Sequence, residues 1–332
     1  MLENLTLPYS EVIRELESGN KSLPIRKYRP DFAGGSIEQS LVMSGHRHFV
    51  NSAVFSPDGE YIASVSDDDT ICIWDSRTRE QKHSLRNNGG RVNSVAFHPN
   101  GGRMVTASID ETIRIWDYER GEQISVLHGH TDSVNSAVFS HDGNCIASAS
   151  LDGTVKIWRT DTGRLMNTLK LGGHNVNQVV YSPTGDTMTT ASANGNAMIW
   201  KTDAASATFM HNLSECSGNI YSVCYHPRGE YLASAGADAT IRIWRVSSGD
   251  LQQRLAGHEG SVNCVKYSPD GCLLVTASLD KTLKVWDSET GRLMLTLQGH
   301  TGRVNSADFS PDGFCIISAS DDNDIRVWFK SW

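Results

Sequence analysis

Seven tryptophans recur along the chain at a nearly constant interval, and this period constrains the fold more than any other feature. The intervals are 42, 42, 42, 44, 42 and 42 residues, between Trp74, Trp116, Trp158, Trp200, Trp244, Trp286 and Trp328. A repeat of roughly 40 to 45 residues is the length of one four-stranded β-sheet. Such a sheet cannot bury both of its faces alone, so it must stack on neighbouring copies. Seven stacked copies predict a closed all-β ring.

The third repeat, which begins at Gly129, shows the pattern of one unit. Alternating apolar residues predict four strands, named a to d in chain order, at Val134–Phe139, Ile146–Ser150, Val155–Trp158 and Leu165–Leu169. Tight Ser-Pro-Asp-Gly turns join strand a to strand b at 56–59, 268–271 and 310–313. Because successive strands are antiparallel, the a–b and c–d turns lie on one face of the ring. The b–c and d–a loops lie on the other face.

Three short motifs recur in phase with the tryptophans. Gly-His precedes strand a, an aspartate stands in the b–c turn, and Trp-Asp ends strand c. This combination resembles the WD40-repeat family over residues 37–332. The resemblance implies a seven-bladed β-propeller of four-stranded antiparallel blades, and it does not by itself assign a function.

The two ends of the chain are expected to have different roles. Residues 1–36 are predicted to form an N-terminal arm with one short helix that begins after Ser10, and residues 37–332 are predicted to form the propeller. Only four residues follow Trp328, so the last blade would lack strand d and expose an open edge. Residues 37–43 align with strand d of blade 2. We expect this segment to complete blade 7 and to close the ring.

Composition narrows the partners and the compartment. The formal net charge of −8 argues against duplex nucleic acid and favours proteins or peptides with basic segments. Seven scattered cysteines without CxxC spacing indicate reduced thiols, so we expect a cytoplasmic protein, with a nuclear or ciliary location also compatible. We expect no cofactor, no metal, no signal peptide and no membrane insertion.

Four repeats carry the side chains of the buried hydrogen-bond tetrad that the family resemblance implies. The sets are His46, Ser64, Asp68 and Trp74; His130, Ser148, Asp152 and Trp158; His258, Thr276, Asp280 and Trp286; and His300, Ser318, Asp322 and Trp328. A histidine, a hydroxyl and a carboxylate could be mistaken for a hydrolase triad. A catalytic site is needed once, however, whereas a blade fastener is needed repeatedly. We therefore predict a structural role, no catalytic residue and no enzyme activity.

Three repeats depart from this set. Asn88 and Cys216 stand at the histidine position of blades 2 and 5, and Asn194 replaces the aspartate of blade 4. These departures predict that blades 2, 4 and 5 are the softer sector of the ring.

One position at the start of strand a is predicted to encircle the mouth of the central channel. Its residues form a channel collar of six asparagines and one tyrosine: Asn51, Asn93, Asn135, Asn177, Tyr221, Asn263 and Asn305. Asparagine could bond neighbouring backbone, which suits a repeated feature. It could instead present amides to an inserted side chain. Tyr221 breaks the pattern and is the better candidate for recognition, because aromatic residues are enriched at interface cores.

Acidic b–c turns distinguish blades 1 and 7, which become neighbours when the ring closes. Asp67, Asp69, Asp321 and Asp324 are the carboxylates of these turns outside the tetrads. They could form a solvated acidic surface or a pocket for a partner's arginine or lysine. The residues just before strand a in blades 1, 2 and 7 add an aromatic ring and two bases to the rim: Phe49, Arg91 and Arg303.

The sequence as a whole favours a non-enzymatic scaffold that binds proteins or peptides on the b–c and d–a loop face, as a subunit of a larger intracellular complex. The alternative is a substrate receptor of a cullin-type ubiquitin ligase. Trp74, Asp75, Ser76 and Arg77 match the WDxR box of such receptors, although a motif this short often arises by chance.

Overall fold

A computed structural model describes residues 40–86, 89–203 and 206–329 of the chain. Within these ranges 28 β-strands form seven four-stranded antiparallel sheets. The predicted all-β, seven-bladed propeller is therefore confirmed. The N-terminal arm, with its predicted helix, and Asn88 lie outside the described residues.

The strands follow the order a, b, c, d in each blade from blade 1 onward. The strand that precedes blade 1 is β1 (Ser40–Ser44). Blades 1 and 2 are β2 (Val50–Phe55), β3 (Tyr61–Ser66), β4 (Thr70–Asp75), β5 (Gln81–Arg86), β6 (Val92–Phe97), β7 (Arg103–Ser108), β8 (Ile113–Asp117) and β9 (Glu122–Leu127). Blades 3 and 4 are β10 (Val134–Phe139), β11 (Cys145–Ser150), β12 (Thr154–Arg159), β13 (Leu165–Lys170), β14 (Val176–Tyr181), β15 (Thr187–Ser192), β16 (Ala197–Asp203) and β17 (Ser206–Leu213). Blades 5, 6 and 7 are β18 (Ile220–Tyr225), β19 (Tyr231–Gly236), β20 (Thr240–Arg245), β21 (Leu251–Ala256), β22 (Val262–Tyr267), β23 (Leu273–Ser278), β24 (Leu283–Asp287), β25 (Leu293–Leu297), β26 (Val304–Phe309), β27 (Cys315–Ser320) and β28 (Asp324–Phe329).

The ring is closed by β1, as the sequence predicts. This strand pairs antiparallel with β28, with Leu41 opposite Val327 and Met43 opposite Ile325. It supplies the missing strand d of blade 7. Met43 is buried against both blade 7 and blade 1, so the closing strand also contributes to the core between them.

The hydrophobic core lies between the blades rather than inside any one of them. Trp74 and Ile62 of blade 1, for example, share a cluster with Ile317 and Val327 of blade 7. Strand a of each blade is innermost, since it packs against strand a of both neighbours and heads its sheet. The channel is therefore lined by the seven strands a.

Every strand a contains a β-bulge near its start. In blade 1 Val50 lies opposite Ser66 but Ser52 lies opposite Val65, so Asn51 has no partner across the pair. The same skip occurs in the other six blades. A bulge re-aims the extra side chain away from its own sheet. The skipped residues are the seven collar residues, and the bulge directs them towards the next blade.

Candidate interaction surface at the channel mouth

Three blades carry a complete hydrogen-bonded series from strand c to the b–c turn. In blade 3 the indole N–H of Trp158 donates to Ser148 over 2.9 Å. His130 lies 2.7 Å from the Ser148 hydroxyl through Nε2 and 2.7 Å from Asp152 through Nδ1. Blades 6 and 7 contain the same series, formed by Trp286, Thr276, His258 and Asp280, and by Trp328, Ser318, His300 and Asp322. Each polar group is satisfied inside the blade, so the series fastens the b–c turn to strand c.

The pKa of the tetrad histidine is shifted in opposite directions in blades 1 and 3. Burial lowers the pKa of His130, and Lys156 on strand c lowers it further, against the opposing hydrogen bond to Asp152. Blade 1 has Cys72 at the position of Lys156. Burial also acts to lower the pKa of His46, but its interactions with Asp68 and Cys72 outweigh burial and raise the pKa to about 9. Cys72, which stands where blade 3 has Lys156, is thus one cause of the raised pKa of His46.

The tetrad of blade 1 also differs in geometry. Ser64 still accepts the Trp74 N–H over 2.9 Å and lies 2.7 Å from His46 Nε2. His46 Nδ1, however, lies 2.9 Å from Thr70 and 3.4 Å from Asp68. The Nδ1 atom of the His46 imidazole therefore lies close to both a hydroxyl and a carboxylate.

In blades 2 and 5 an arginine, rather than a histidine, contacts the tetrad aspartate. Arg114 and Arg242, at the strand-c position of Lys156, lie 2.7 Å from Asp110 and Asp238 respectively. Both pairs are largely buried, with side-chain exposures of 9 to 15%. Within the described residues, blades 2 and 5 therefore lack the histidine that links the strand-b hydroxyl to the turn carboxylate, and a guanidinium pairs with the carboxylate instead. The softness of blades 2, 4 and 5 stays a prediction.

Blade 4 is the blade whose series lacks a carboxylate. Asn194 holds the b–c turn by accepting the N–H of Asn196 over 3.1 Å. Met198 occupies the strand-c position that carries a cation in five other blades. The Trp200 indole still donates to Thr190, over 3.2 Å. The loss of the ionic part of the network is thus confined to blade 4.

The six collar asparagines form a belt that joins adjacent blades. Each amide donates to the carbonyl of the first strand-a residue in the next blade, over 2.7 to 3.0 Å. The donor and acceptor pairs are Asn51 and Val92, Asn93 and Val134, Asn135 and Val176, Asn177 and Ile220, Asn263 and Val304, and Asn305 and Val50. These contacts favour the architectural interpretation of the asparagines.

Tyr221 leaves one gap in this belt. It occupies the bulge position of blade 5 but has no amide to donate to Val262 of blade 6. Its ring is half-buried at the channel mouth. Blades 5 and 6 therefore lack one inter-blade hydrogen bond that the other six boundaries have.

Two of the four rim carboxylates face the channel mouth, and both already have partners. Asp67 accepts the Asn51 amide over 2.7 Å and lies 3.6 Å from Arg91 Nε. Asp321 accepts the Asn305 amide over 2.8 Å and forms an ion pair with Arg303 Nε. These two carboxylates are therefore neutralised by arginines of the same rim.

The other two carboxylates are used locally. Asp69 accepts the backbone N–H of Gly90 in the next d–a loop over 3.1 Å. Asp324 begins β28 and accepts the Ser44 hydroxyl of β1 over 2.6 Å. A b–c turn runs from the inner part of the blade outward, so its last residue lies nearer strand d than the channel. The four carboxylates therefore do not form the single open acidic pocket that the sequence suggested.

Aromatic and apolar side chains complete the rim. The Arg303 guanidinium carbon lies 6.0 Å from the centre of the Phe49 ring, which also contacts His48. Ile109 and Leu279 occupy the turn position of Asp67 in blades 2 and 6 and are 44% and 48% exposed. Sequence reasoning overlooked these two residues, although their turns differ from the others in the same alignment.

The channel wall is also asymmetric, a feature that sequence reasoning missed. The fifth residue of strand a is apolar in blades 1 to 4 but is Cys224, Lys266 and Asp308 in blades 5 to 7. Asp308 accepts the Phe55 N–H of blade 1 over 3.3 Å. Polar groups therefore line one side of the channel near the a–b turn face.

Neither a metal centre nor a membrane segment is found where the structure can be described. Across residues 40–86, 89–203 and 206–329, no group of three or more His, Cys, Asp or Glu side chains could hold a metal ion. The same residues include no helix long and apolar enough to span a bilayer.

The architecture and its motifs define a class of protein, the seven-bladed β-propeller whose blades carry Trp-Asp motifs and buried hydrogen-bonded tetrads. The chain belongs to the WD40 family, described as WD domain, G-beta repeat. The family pattern matches seven segments, at residues 37–75, 79–117, 121–159, 163–201, 207–245, 249–287 and 291–328. Propellers of this family typically serve as non-enzymatic platforms for other proteins.

Individual relatives match only short segments. Lissencephaly-1 homolog 1 of Paramecium tetraurelia is 43% identical over 47 residues, which is 14% of this chain and 12% of that protein. The 66 kDa stress protein of Physarum polycephalum is 34% identical over 68 residues, or 20% and 11%. Ribosome assembly protein 4 of Saccharomyces cerevisiae is 54% identical over 35 residues, or 10% and 7%. The chain thus matches at most 12% of the length of these curated relatives, so they support the family only.

Proposed function

We propose that the protein is a non-enzymatic scaffold, a subunit of a larger intracellular complex, which binds partner proteins or peptides on the b–c and d–a loop face. One observation carries this proposal. The repeated polar side chains of that face are engaged inside the ring, in the tetrads and the asparagine belt, whereas the non-repeated side chains of Leu279, Arg303, Arg91 and Ile109 are exposed on blades 6, 7 and 2. Recognition needs a unique surface, and this sector is the one that differs from its copies.

The proposed contact residues follow from this asymmetry. On blades 6, 7, 1 and 2 they are Asp67, Asp69, Asp321, Asp324, Phe49, Arg91 and Arg303, together with Ile109 and Leu279, and the half-buried Tyr221 is added from blade 5. Aromatic residues and arginines are enriched where protein interfaces concentrate their binding energy. No partner is taken from the names of the relatives, because each matched segment spans fewer than two repeats.

Affinity purification from the native source with charge-reversed variants tests the choice of face. Asp67→Lys combined with Asp321→Lys should change the set of partners that the protein captures, because it removes the carboxylates that anchor Arg91 and Arg303 and reverses two charges of the rim. Asp142→Lys combined with Asp161→Lys is the matched control, since both residues lie in turns of the opposite face. Circular dichroism checks that both variants fold. Retention of every partner by the first variant would show that this face is not the binding surface.

The alternative, a cullin-type ligase receptor, rests on the exposed side chain of Arg77 in the c–d turn. Asp75 accepts the backbone N–H groups of Arg77 and Thr78 over 3.0 and 2.8 Å. Asp287 of blade 6 accepts the N–H of Thr290 over 2.7 Å in the corresponding turn, so this conformation is not specific to the WDxR match. Co-purification of the cullin adaptor, lost on Arg77→Ala, would support the alternative over a general scaffold.

The cytoplasm is the proposed location, with the nucleus and the cilium as alternatives. All seven cysteines are free thiols, which supports a reducing compartment. Imaging of the tagged chain in its native cell distinguishes the three locations.

A further inference from the structure

We propose that the rim formed by Arg303, Phe49 and Arg91 binds an acidic peptide segment whose carboxylates are held by the outer N–H groups of the two arginines. This inference deepens the proposed scaffold function and rests on it. The acidic turns alone suggest a basic partner, whereas this inference assigns an acidic one.

The rim is unique to one sector of the ring. Arg303, Phe49 and Arg91 each stand just before strand a, in blades 7, 1 and 2. The equivalent residues in blades 3 to 6 are neutral and polar: Ser133, Asn175, Asn219 and Ser261. Because β26, β2 and β6 are adjacent in the ring, the two cations flank the aromatic ring at the channel mouth.

Both arginines are anchored through the same nitrogen. Arg303 uses Nε to contact Asp321, and Arg91 uses Nε to donate to Asn93 over 3.0 Å and to approach Asp67. Among the described residues the Nη groups of neither arginine make a hydrogen bond. A guanidinium carries four of its five N–H bonds on these nitrogens, in a planar fork that matches a carboxylate. Each arginine is thus fixed at one end and open at the other.

Exposure decides which sign of charge the rim presents. The side chains of Arg303 and Arg91 are 48% and 44% exposed, whereas those of Asp321 and Asp67 are 14% and 18% exposed. A partner lysine could reach the carboxylates only by displacing these arginines and by approaching two cations. A partner carboxylate meets the open guanidinium groups directly.

The apolar side chains beside the two arginines indicate which sequence of acidic peptide would fit the rim. Around the ring from blade 6 to blade 2, the exposed Leu279, Arg303, Arg91 and Ile109 and the half-buried Phe49 follow in the order Leu279, Arg303, Phe49, Arg91 and Ile109. This order alternates apolar or aromatic side chains with cations. A segment that alternates apolar and acidic residues is complementary to it.

Fluorescence anisotropy with two labelled peptides tests the inference. The probes are Gly-Gly-Leu-Glu-Phe-Glu-Leu-Gly-Gly and the same peptide with both glutamates replaced by lysine. We expect the acidic probe to bind the wild-type protein more tightly than the basic one. Arg91→Gln combined with Arg303→Gln should weaken binding of the acidic probe by about tenfold or more, since charge-assisted hydrogen bonds are lost. Arg159→Gln should bind like the wild type, because Arg159 is similarly exposed and ion-paired but lies at the opposite face.

Three results would overturn the inference: tighter binding of the basic probe, equal binding of the acidic probe to the wild-type protein and the double variant, or no binding of either probe at millimolar concentration. Circular dichroism excludes unfolding as the cause of lost binding. None of these results touches the wider scaffold proposal, which fails only if the purification experiment finds no partner dependent on this face.

Discussion

The charge difference between the tetrad histidines gives a prediction that a single substitution tests. Cys72→Lys should lower the pKa of His46 from about 9 to below its ordinary value of 6.5, as burial and Lys156 do for His130. The pairing of strands c and d around Cys72 matches that around Lys156. Cys72 lies opposite Ser84 as Lys156 lies opposite Thr168, whose hydroxyl is 3.2 Å from the Lys156 ammonium.

The magnitude follows from linkage between protonation and folding. The pKa of His46 is raised from 6.5 in the unfolded chain to about 9, so the protonated form stabilises the folded state. Each tenfold step in proton affinity corresponds to 1.36 kcal/mol, which gives about 3 kcal/mol in total. This stability is fully present below pH 6.5 and is lost as the pH rises through 9. Cys72→Lys should abolish that loss.

Two measurements check this prediction. NMR titration of the imidazole ¹³Cε1 resonances should show His46 protonated at pH 7.5 and His130, His258 and His300 neutral. Urea unfolding at pH 7 and pH 10 should show a smaller decrease in stability for Cys72→Lys than for the wild-type protein. A neutral His46 at pH 7.5 in the wild-type protein would refute the reasoning, and so would an unchanged His46 pKa in the variant.

Three further substitutions probe the ring itself. Tyr221→Asn should complete the belt by donating to Val262 and raise the free energy of unfolding by about 1 kcal/mol in urea denaturation; a destabilised variant would show that the belt cannot close there. Arg242→Met should cost about 3 kcal/mol by leaving Asp238 without its ion pair, and Asp238→Asn in the same chain should recover part of it; equal stabilities of the single and double variants would contradict this account. Met43→Ala in the buried face of the closing strand should cost about 2 to 5 kcal/mol, measured by thermal unfolding, whereas Val42→Ala in its exposed face should cost far less.

The strands were largely predictable because their signals are local. Alternation placed strand a of blade 3 at Val134–Phe139, the range that the structure shows. The closing strand was predictable from the alignment of residues 37–43 with an earlier strand d. The β-bulge at Asn51 was not, because a strict period of two assumes that every residue of strand a has a partner in strand b. The belt that the bulge creates therefore became visible only in three dimensions.

The candidate site was only partly predictable, because sequence position does not give depth within a blade. Asp67 and Asp324 stand close together in the aligned turns, yet one faces the channel and the other pairs with strand d. Arg114 and Arg242 were visible in the sequence at the position of Lys156. Their role was missed because only a histidine was considered as the donor to the buried carboxylate, although an arginine can also donate to it.

Departures from a repeat need a second criterion before they indicate function. Blade 2 departs from the repeat in its tetrad, where Arg114 rather than a histidine contacts Asp110, and in its rim, where Arg91 stands; the side chain of Arg114 is 11% exposed and that of Arg91 is 44% exposed. The buried arginine keeps the task of its position with a different residue, since the turn carboxylate still requires a donor. The exposed arginine contacts Asp67 and Asn93 through Nε, and its Nη groups make no hydrogen bond within the described residues. Under the proposed scaffold function, we therefore expect an irregular side chain to mark a binding surface only where part of it is exposed and open to a partner.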